Sequence, residues 1–182
     1  MQPSNSPKIG IIGLGTMGLG IAQIFVQAGF FTIATDAQPL ARASARQRMS
    51  DALNARVSAE KLTPEARDAT LSNLHITASI AEIAPCDLVI EAIIERLDAK
   101  QALFAELETI LTPNAVLATN TSSIPVASIA STARHPDRIL ALHFFNPPTA
   151  MKLVELAPHA GTSAAALTLA RQITEAAGKT VI

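Results

Sequence analysis

The chain of 182 residues contains no Trp, no Tyr and a single Cys. One cysteine cannot form an internal disulfide, and Cys86 is more typical of a small buried apolar residue than of a nucleophile. Charge is also scarce, because Asp, Glu, Lys and Arg make up 16% of the residues and the net charge is -1. This balance gives no electrostatic basis for binding nucleic acid or an anionic membrane. No metal site is predicted.

The stretch from residue 9 to residue 35 has no charged side chain and is long enough to raise the question of a membrane span. Six glycines interrupt this stretch and divide it into strand, turn, helix and strand. We therefore predict neither a membrane span nor a signal peptide, and we expect a cytoplasmic protein. The low charge content indicates either that apolar surface is buried against another domain or subunit, or simply that the chain is rich in alanine.

A glycine-rich turn follows the first apolar run, residues 8–12, in G-x-G-x-x-G spacing directly before a helical segment. In dinucleotide-binding turns the first glycine permits the tight bend, the second lets a pyrophosphate approach the backbone, and the third lets the helix pack on the strand. The anion then lies on free N–H groups at the positive end of the helix. Taken alone the motif is weak, because such turns also serve close packing. The predicted phosphate-binding residues are Gly13, Gly15, Thr16, Met17 and Gly18.

An acidic residue, Asp36, ends the second apolar run, residues 30–35, which follows a predicted helix C-cap at Gly29. A carboxylate at the tip of the second strand is placed to accept hydrogen bonds from the adenosine ribose and to repel a 2′-phosphate. The alternative is a solvated carboxylate at a strand end. Glycine turn, helix, strand and acid together predict a βαβ unit that binds NAD in preference to NADP.

Residues 39–74 are richer in charge and have the spacing of two helices. Thr63 and Pro64 are typical of an N-cap followed by proline at the first helical position, so a second helix begins there. Most of these charges are expected to form a solvated face. Lys61, at the turn between the helices, could instead meet a phosphate of the substrate.

Further strands are predicted near residues 75–77, 87–90 and 116–118, with a helix at 97–111. Strands that alternate with helices indicate a mostly parallel sheet covered on both faces. Ligands of such sheets bind at the carboxyl ends of the strands. The polar residues expected along that rim are Asp36, Glu91, Glu95, Asn120 and Ser122.

Two strands near the end of the chain, residues 139–145 and 152–156, are joined by a short proline-containing connection and are therefore expected to be antiparallel. His143 and Glu155 could then face each other. A histidine oriented by a carboxylate can remove an alcohol proton during hydride transfer. The alternative is a structural histidine in a salt bridge at a strand end.

Three later motifs closely resemble the L-3-hydroxyacyl-CoA dehydrogenase family, which includes 3-hydroxybutyryl-CoA dehydrogenases: ATNTSS at 118–123, HFFNP at 143–147 and MKLVE at 151–155. The resemblance runs from about residue 8 to the end of the chain. It implies a Rossmann-type, doubly wound α/β fold, with a helical pair after the second strand and antiparallel strands near the C-terminus. It also implies reversible NAD-dependent oxidation of an L-3-hydroxyacyl-CoA to the 3-ketoacyl-CoA.

The resemblance further implies roles for individual residues. His143 would be the general acid/base, Glu155 its orienting partner, and Ser122 a hydrogen-bond donor to the substrate 3-oxygen. Asn146 would support the site, and Asp36 would bind the adenosine ribose. The remaining residues implied on the cofactor side are Ala92, Glu95, Lys100 and Asn120.

We expect residues 1–182 to form one NAD-binding domain, and the family's helical domain, which forms the dimer and contacts substrate, to be absent from this chain. The whole protein is then expected to be a homodimer acting on an acyl-CoA, and the isolated chain a monomer or weak oligomer with little activity. Two alternatives remain open. One is a β-hydroxyacid dehydrogenase of another type, and the other is a non-catalytic dinucleotide-binding module.

Overall fold

The computed structural model describes residues 6–182, so residues 1–5 of the predicted domain lie outside the described part. The strands are β1 (Ile9–Ile12), β2 (Thr32–Thr35), β3 (Leu74–Ile76), β4 (Leu88–Glu91), β5 (Val116–Thr119), β6 (Ile139–Phe144), β7 (Leu153–Ala157) and β8 (Thr180–Val181). The helices are α1 (Thr16–Gln27), α2 (Pro39–Ser58), α3 (Pro64–Ser72), α4 (Leu97–Ile110), α5 (Val126–Ala130) and α6 (Ala164–Ala176). Short 3₁₀ turns precede β4 and β6.

All of these strands form one sheet in the order β3-β2-β1-β4-β5-β6-β7-β8. Neighbouring strands are parallel except β6 and β7, which are antiparallel. Strands β2 and β3 lie on one side of β1 and strands β4 to β8 lie on the other, so the direction of winding reverses between β1 and β4. The predicted fold is therefore confirmed: a doubly wound α/β sheet of Rossmann type, with the α2–α3 pair after the second strand and an antiparallel pair near the C-terminus.

Helices cover both faces of the sheet. Apolar residues of α1, α2 and α6 pack on one face, and those of α4 and α5 pack on the other. Strands β1, β2, β4 and β5 are consequently buried along their whole length. Because both faces are covered, a ligand can reach these strands only at their ends, and the carboxyl ends carry the polar residues.

The glycine turn between β1 and α1 has the geometry that its sequence predicts. Gly13 has a φ of +101°, and a Cβ there would lie 2.5 Å from the carbonyl oxygen of Ala92. A Cβ on Gly18 would lie 1.8 Å from the carbonyl oxygen of Gly13, so only glycine lets α1 pack this closely. Gly15 differs, because a Cβ there would meet nothing within 4 Å. The second glycine thus faces open space that a ligand can enter.

The burial of Cys86 and the apolar character of the helices both bear on the functions that the chain can have. Cys86 is 1% exposed, and burial raises the pKa of its thiol to about 12, which fits the predicted buried apolar role and leaves little thiolate for nucleophilic chemistry. In residues 6–182, the helices lack the combination of length and apolar character needed to cross a membrane.

Candidate active site

The tips of β1 and β2 are joined by the side chain of Asp36. Its Oδ2 accepts a hydrogen bond from the backbone N–H of Leu14 at 2.7 Å, and its Oδ1 accepts one from Gln38 at 2.7 Å. Asp36 therefore holds the glycine turn against the end of β2. This contact gives the carboxylate a structural task in addition to the predicted contact with a ribose.

A cavity of about 620 Å³ opens beside Asp36, within the size range of small-molecule pockets. Its wall is largely apolar, with residues such as Ile12 and Ile93, and its charged residues are Asp36, Arg42 and Glu106. An apolar slot with a carboxylate fits an adenosine, whose base is flat and whose ribose presents hydroxyl donors. The predicted adenosine site and this cavity thus coincide at Asp36.

Helix α1 begins directly after the glycine turn, and its N-cap residue makes no side-chain capping hydrogen bond. Gly15 is its N-cap residue, and its first turn contains no acidic residue. The N–H groups of Thr16 and Met17 therefore lie at the positive end of a 12-residue helix. Together with the open space at Gly15, this geometry fits a pyrophosphate.

A buried ion pair lies under the rim, between β4 and α4. Lys100 Nζ lies 2.6 Å from Glu91 Oε1, and both side chains are 1% exposed. Glu91 also accepts hydrogen bonds from the backbone of Ile93 and, at 2.7 Å, from the hydroxyl of Thr119. Glu91 ends β4 at the rim as expected, but its carboxylate points into the protein and is paired with Lys100 below the surface.

Glu95 connects this ion pair to the loop after β5. Its Oε2 lies 3.3 Å from Lys100 Nζ. Its Oε1 accepts hydrogen bonds from the Thr121 hydroxyl, from the Ser122 backbone N–H at 3.1 Å, and from the backbone and hydroxyl of Ser123 at 3.2 Å. Since Lys100 is 1% exposed, its ammonium group reaches the rim through Glu95 and not directly.

Burial opposes ionisation of Glu95, but the hydrogen bond from Thr121 and the charge and hydrogen bond of Lys100 outweigh it and lower its pKa from 4.5 to about 2. A folded pKa below the unfolded value means that the carboxylate contributes its full stability above about pH 4.5, and that this contribution is lost as the pH falls through about 2. We therefore expect Glu95→Gln to be less stable than the unchanged chain at pH 7, by a margin that shrinks between these two pH values.

Urea unfolding followed by far-UV circular dichroism at pH 7, 4.5 and 2.5 measures this margin. Glu175→Gln is the matched control, because Glu175 belongs to a 3.4 Å surface pair with Arg171 in which both side chains are nearly half exposed. If the difference in the free energy of unfolding between Glu95→Gln and the unchanged chain stays constant from pH 7 to pH 2.5, the lowered pKa of Glu95 is contradicted.

His143 and Glu155 face each other across the antiparallel pair β6–β7, as predicted. The Nδ1 atom of His143 lies 2.7 Å from Glu155 Oε2, which favours a proton on Nδ1 and leaves Nε2 as the basic nitrogen. The imidazole is 24% exposed and its ring centre lies 4.8 Å from that of Phe145. His143, Glu155 and Ser122 line one cavity of about 320 Å³.

Other predicted site residues are not brought into this cavity. Asn120 accepts a hydrogen bond from the backbone N–H of Phe144 at 2.8 Å, so it joins the ends of β5 and β6. Asn146 is exposed and does not line the cavity. Lys61 is also exposed and lines a separate cavity at the α2–α3 turn, which shares no lining residue with the one around His143.

The doubly wound sheet, the glycine turn and the acid at the tip of β2 define a dinucleotide-binding domain. Residues 8–182 match the family model described as 3-hydroxyacyl-CoA dehydrogenase, NAD binding domain. The chain belongs to this family, and its cofactor is NAD.

Relatives of known name agree with this assignment. The 3-hydroxyadipyl-CoA dehydrogenase of Escherichia coli K12 is 40% identical over 175 residues, which cover 96% of this chain and 37% of that protein. A 3-hydroxybutyryl-CoA dehydrogenase of Mycobacterium tuberculosis is 42% identical over 151 residues, which cover 82% of this chain and 52% of that protein.

The fold is also similar to a solved structure. The crystal structure of 3-hydroxybutyryl-CoA dehydrogenase from Escherichia coli K12 superposes with a TM-score of 0.94 at 39% identity, covering 98% of this chain and 38% of that chain. The chain therefore spans about half the length, or less, of these relatives.

Proposed function

We propose that the protein containing this chain is an NAD-dependent 3-hydroxyacyl-CoA dehydrogenase, with His143 as its general acid/base. The observation that supports this most directly is the 2.7 Å contact of His143 with Glu155, in a cavity that Ser122 also lines. The position of the His143 cavity is a second support, because this cavity lies at the same edge of the sheet as the glycine turn.

In the oxidative direction, the hydroxyl of Ser122 would donate a hydrogen bond to the substrate 3-oxygen. His143 Nε2 would take the hydroxyl proton as the C3–H bond breaks, and Glu155 would stabilise the resulting imidazolium. The bound cofactor would supply the acceptor for the C3 hydride, so the products would be the 3-ketoacyl-CoA, NADH and a proton. Gly15, Thr16 and Met17 would hold its pyrophosphate.

The other proposed positions have supporting roles. Asn120, by joining β5 to β6, would keep His143 at a fixed distance from the loop of Ser122. Asn146 would support the site, and Lys61 would contact a phosphate of the substrate. The exposure of the Asn146 and Lys61 side chains is compatible with these contacts.

Turnover by the full-length protein tests the proposed reaction. Consumption of NADH with acetoacetyl-CoA, and none with acetoacetate or another free β-keto acid, is the expected result. Activity only on free acids would favour a β-hydroxyacid dehydrogenase of another type. Tight NADH binding without turnover of either substrate would favour a non-catalytic dinucleotide-binding module.

The isolated 182-residue chain should bind NADH but turn over acetoacetyl-CoA poorly. All residues proposed for the cofactor lie between Gly13 and Asn120, whereas Ser122 and His143 approach the substrate from one side. Poor positioning of a reacting carbon can cost several kcal/mol of the barrier. Turnover per site equal to that of the full-length protein would contradict this view.

Homodimerisation and cytoplasmic location of the whole protein remain predictions.

Cofactor preference is a further expected result. The chain should bind NADH more tightly than NADPH, and Asp36→Ala should weaken NADH binding because the ribose hydroxyls lose their acceptor. Fluorescence titration of the two cofactors measures this with little protein background, since the chain has no Trp or Tyr. Equal affinities for NADH and NADPH would remove the role assigned to Asp36.

A further inference from the structure

The proposed function gives no task to Arg42, a charged side chain of the cavity beside Asp36 in which the adenosine is expected. Arg42 lies in the first turn of α2 and lines the same cavity of about 620 Å³ as Asp36. Its Nη1 atom donates hydrogen bonds to the backbone carbonyl oxygens of Asp36 and, at 3.2 Å, of Ala37. These bonds place the guanidinium beside the residue that is expected to meet the ribose.

The guanidinium of Arg42 keeps donors available for a ligand. Arginine has five N–H donors, and the described contacts of this side chain all involve Nη1. The planar group can bind a phosphate through two parallel hydrogen bonds. An arginine near the ribose is also the usual means by which doubly wound folds accommodate a 2′-phosphate.

The charges in the wall of the cavity explain why this arginine would not by itself select NADPH. Arg42 is accompanied there by two acids, Asp36 and Glu106. Asp36 holds the glycine turn and the start of α2, so its carboxylate is fixed at the tip of β2. A 2′-phosphate entering this site would meet the fixed carboxylate as well as the arginine.

We propose that Arg42 is a latent anchor for the 2′-phosphate of NADPH and that the single carboxylate of Asp36 blocks its use. Cofactor choice is then set by a pair of residues, not by Asp36 alone. The inference depends on the proposed function only in placing the adenosine of the cofactor in this cavity.

Another arginine of α2, Arg46, allows the inference to be tested against a general effect of positive charge. Arg46 donates to the carbonyl oxygens of Leu71 and Leu74, both at 3.1 Å, and does not line the cavity. Arg48 donates to the carbonyl oxygen of Leu14 in the glycine turn. Arg46 is therefore the matched control, because its substitution changes the same charge on the same helix away from the cavity.

The experiment is a fluorescence titration of NADPH and NADH into four forms of the chain: unchanged, D36N, D36N/R42Q and D36N/R46Q. Asparagine retains a carbonyl oxygen that can accept from Leu14 or Gln38, so D36N can keep one of the two hydrogen bonds of Asp36. We expect D36N to bind NADPH at least about tenfold more tightly than the unchanged chain, as one charge-assisted hydrogen bond can supply. D36N/R42Q should lose most of this gain, and D36N/R46Q should keep it.

Equal NADPH affinity in D36N and D36N/R42Q would overturn the proposal, as would no gain in D36N while NADH still binds. If D36N does not fold by far-UV circular dichroism, Asp36→Ser provides a second neutral background and is judged by the same comparison. Failure of the unchanged chain to bind either cofactor would instead reject the cofactor site itself, and would be visible before any variant is made.

Discussion

Replacement of His143 by Gln in the full-length protein should reduce turnover by about 10²- to 10⁴-fold, the usual contribution of a general acid/base. The amide cannot take the hydroxyl proton, whereas the residues that hold the dinucleotide are untouched. NADH affinity should therefore change little. Steady-state turnover with acetoacetyl-CoA, together with NADH titration, separates the two effects.

Two companion variants make this result specific. Glu155→Gln should act in the same direction but less severely, because the imidazole remains and loses only its negatively charged partner at 2.7 Å. His135→Gln is the control, since His135 is exposed and lies before the amino end of β6. Near-normal turnover in His143→Gln would show that His143 is a structural residue.

The largest effect on stability is expected from Lys100→Met, with a loss of about 3–5 kcal/mol in the free energy of unfolding. This change leaves the carboxylate of Glu91, which is 1% exposed, without a counter-charge, and it also removes a cation 3.3 Å from Glu95. Urea unfolding followed by far-UV circular dichroism is the suitable measurement, because the chain has no Trp to report by fluorescence.

The double variant Glu91→Gln/Lys100→Met distinguishes an unpaired charge from simple loss of packing. It should recover part of the stability, because the buried carboxylate is then replaced by a neutral amide. Lys61→Met, at an exposed position of the α2–α3 turn, should change stability very little. A Lys100→Met cost below about 1 kcal/mol would mean that the buried pair is not a major contribution.

Much of the fold could be predicted because its signals are local. The glycines at 13 and 18 reflect steric limits: a Cβ on Gly18, for example, would lie 1.8 Å from the carbonyl oxygen of Gly13. The antiparallel pairing of β6 and β7 followed from the short connection between them. Because that pairing sets the register, the facing of His143 and Glu155 was also within reach of the sequence.

The buried ion pair was not predictable by the same reasoning. Glu91 ends a strand and Lys100 lies in the following helix, so no strand or helix period relates them, and their side chains meet only through tertiary packing. Helix α6 was missed for a different reason. Its start and stop signals are single residues, since Ser163 accepts from the Ala166 N–H at 3.2 Å and Gly178 has a φ of +81°, and single capping residues indicate a helix only weakly.

Glu95 connects the buried ion pair at β4 and α4 with the loop that carries Ser122. One carboxylate oxygen of Glu95 faces Lys100, and the other accepts hydrogen bonds from the loop of Ser122. A cofactor that stiffens this loop would make a substrate bind more tightly at Ser122. Binding linkage is reciprocal, so the substrate would then raise the affinity for the cofactor by the same factor. The affinity of the ternary complex would then be the same whichever of cofactor and substrate binds first. It would depend on how firmly the Glu95 carboxylate holds the loop of Ser122.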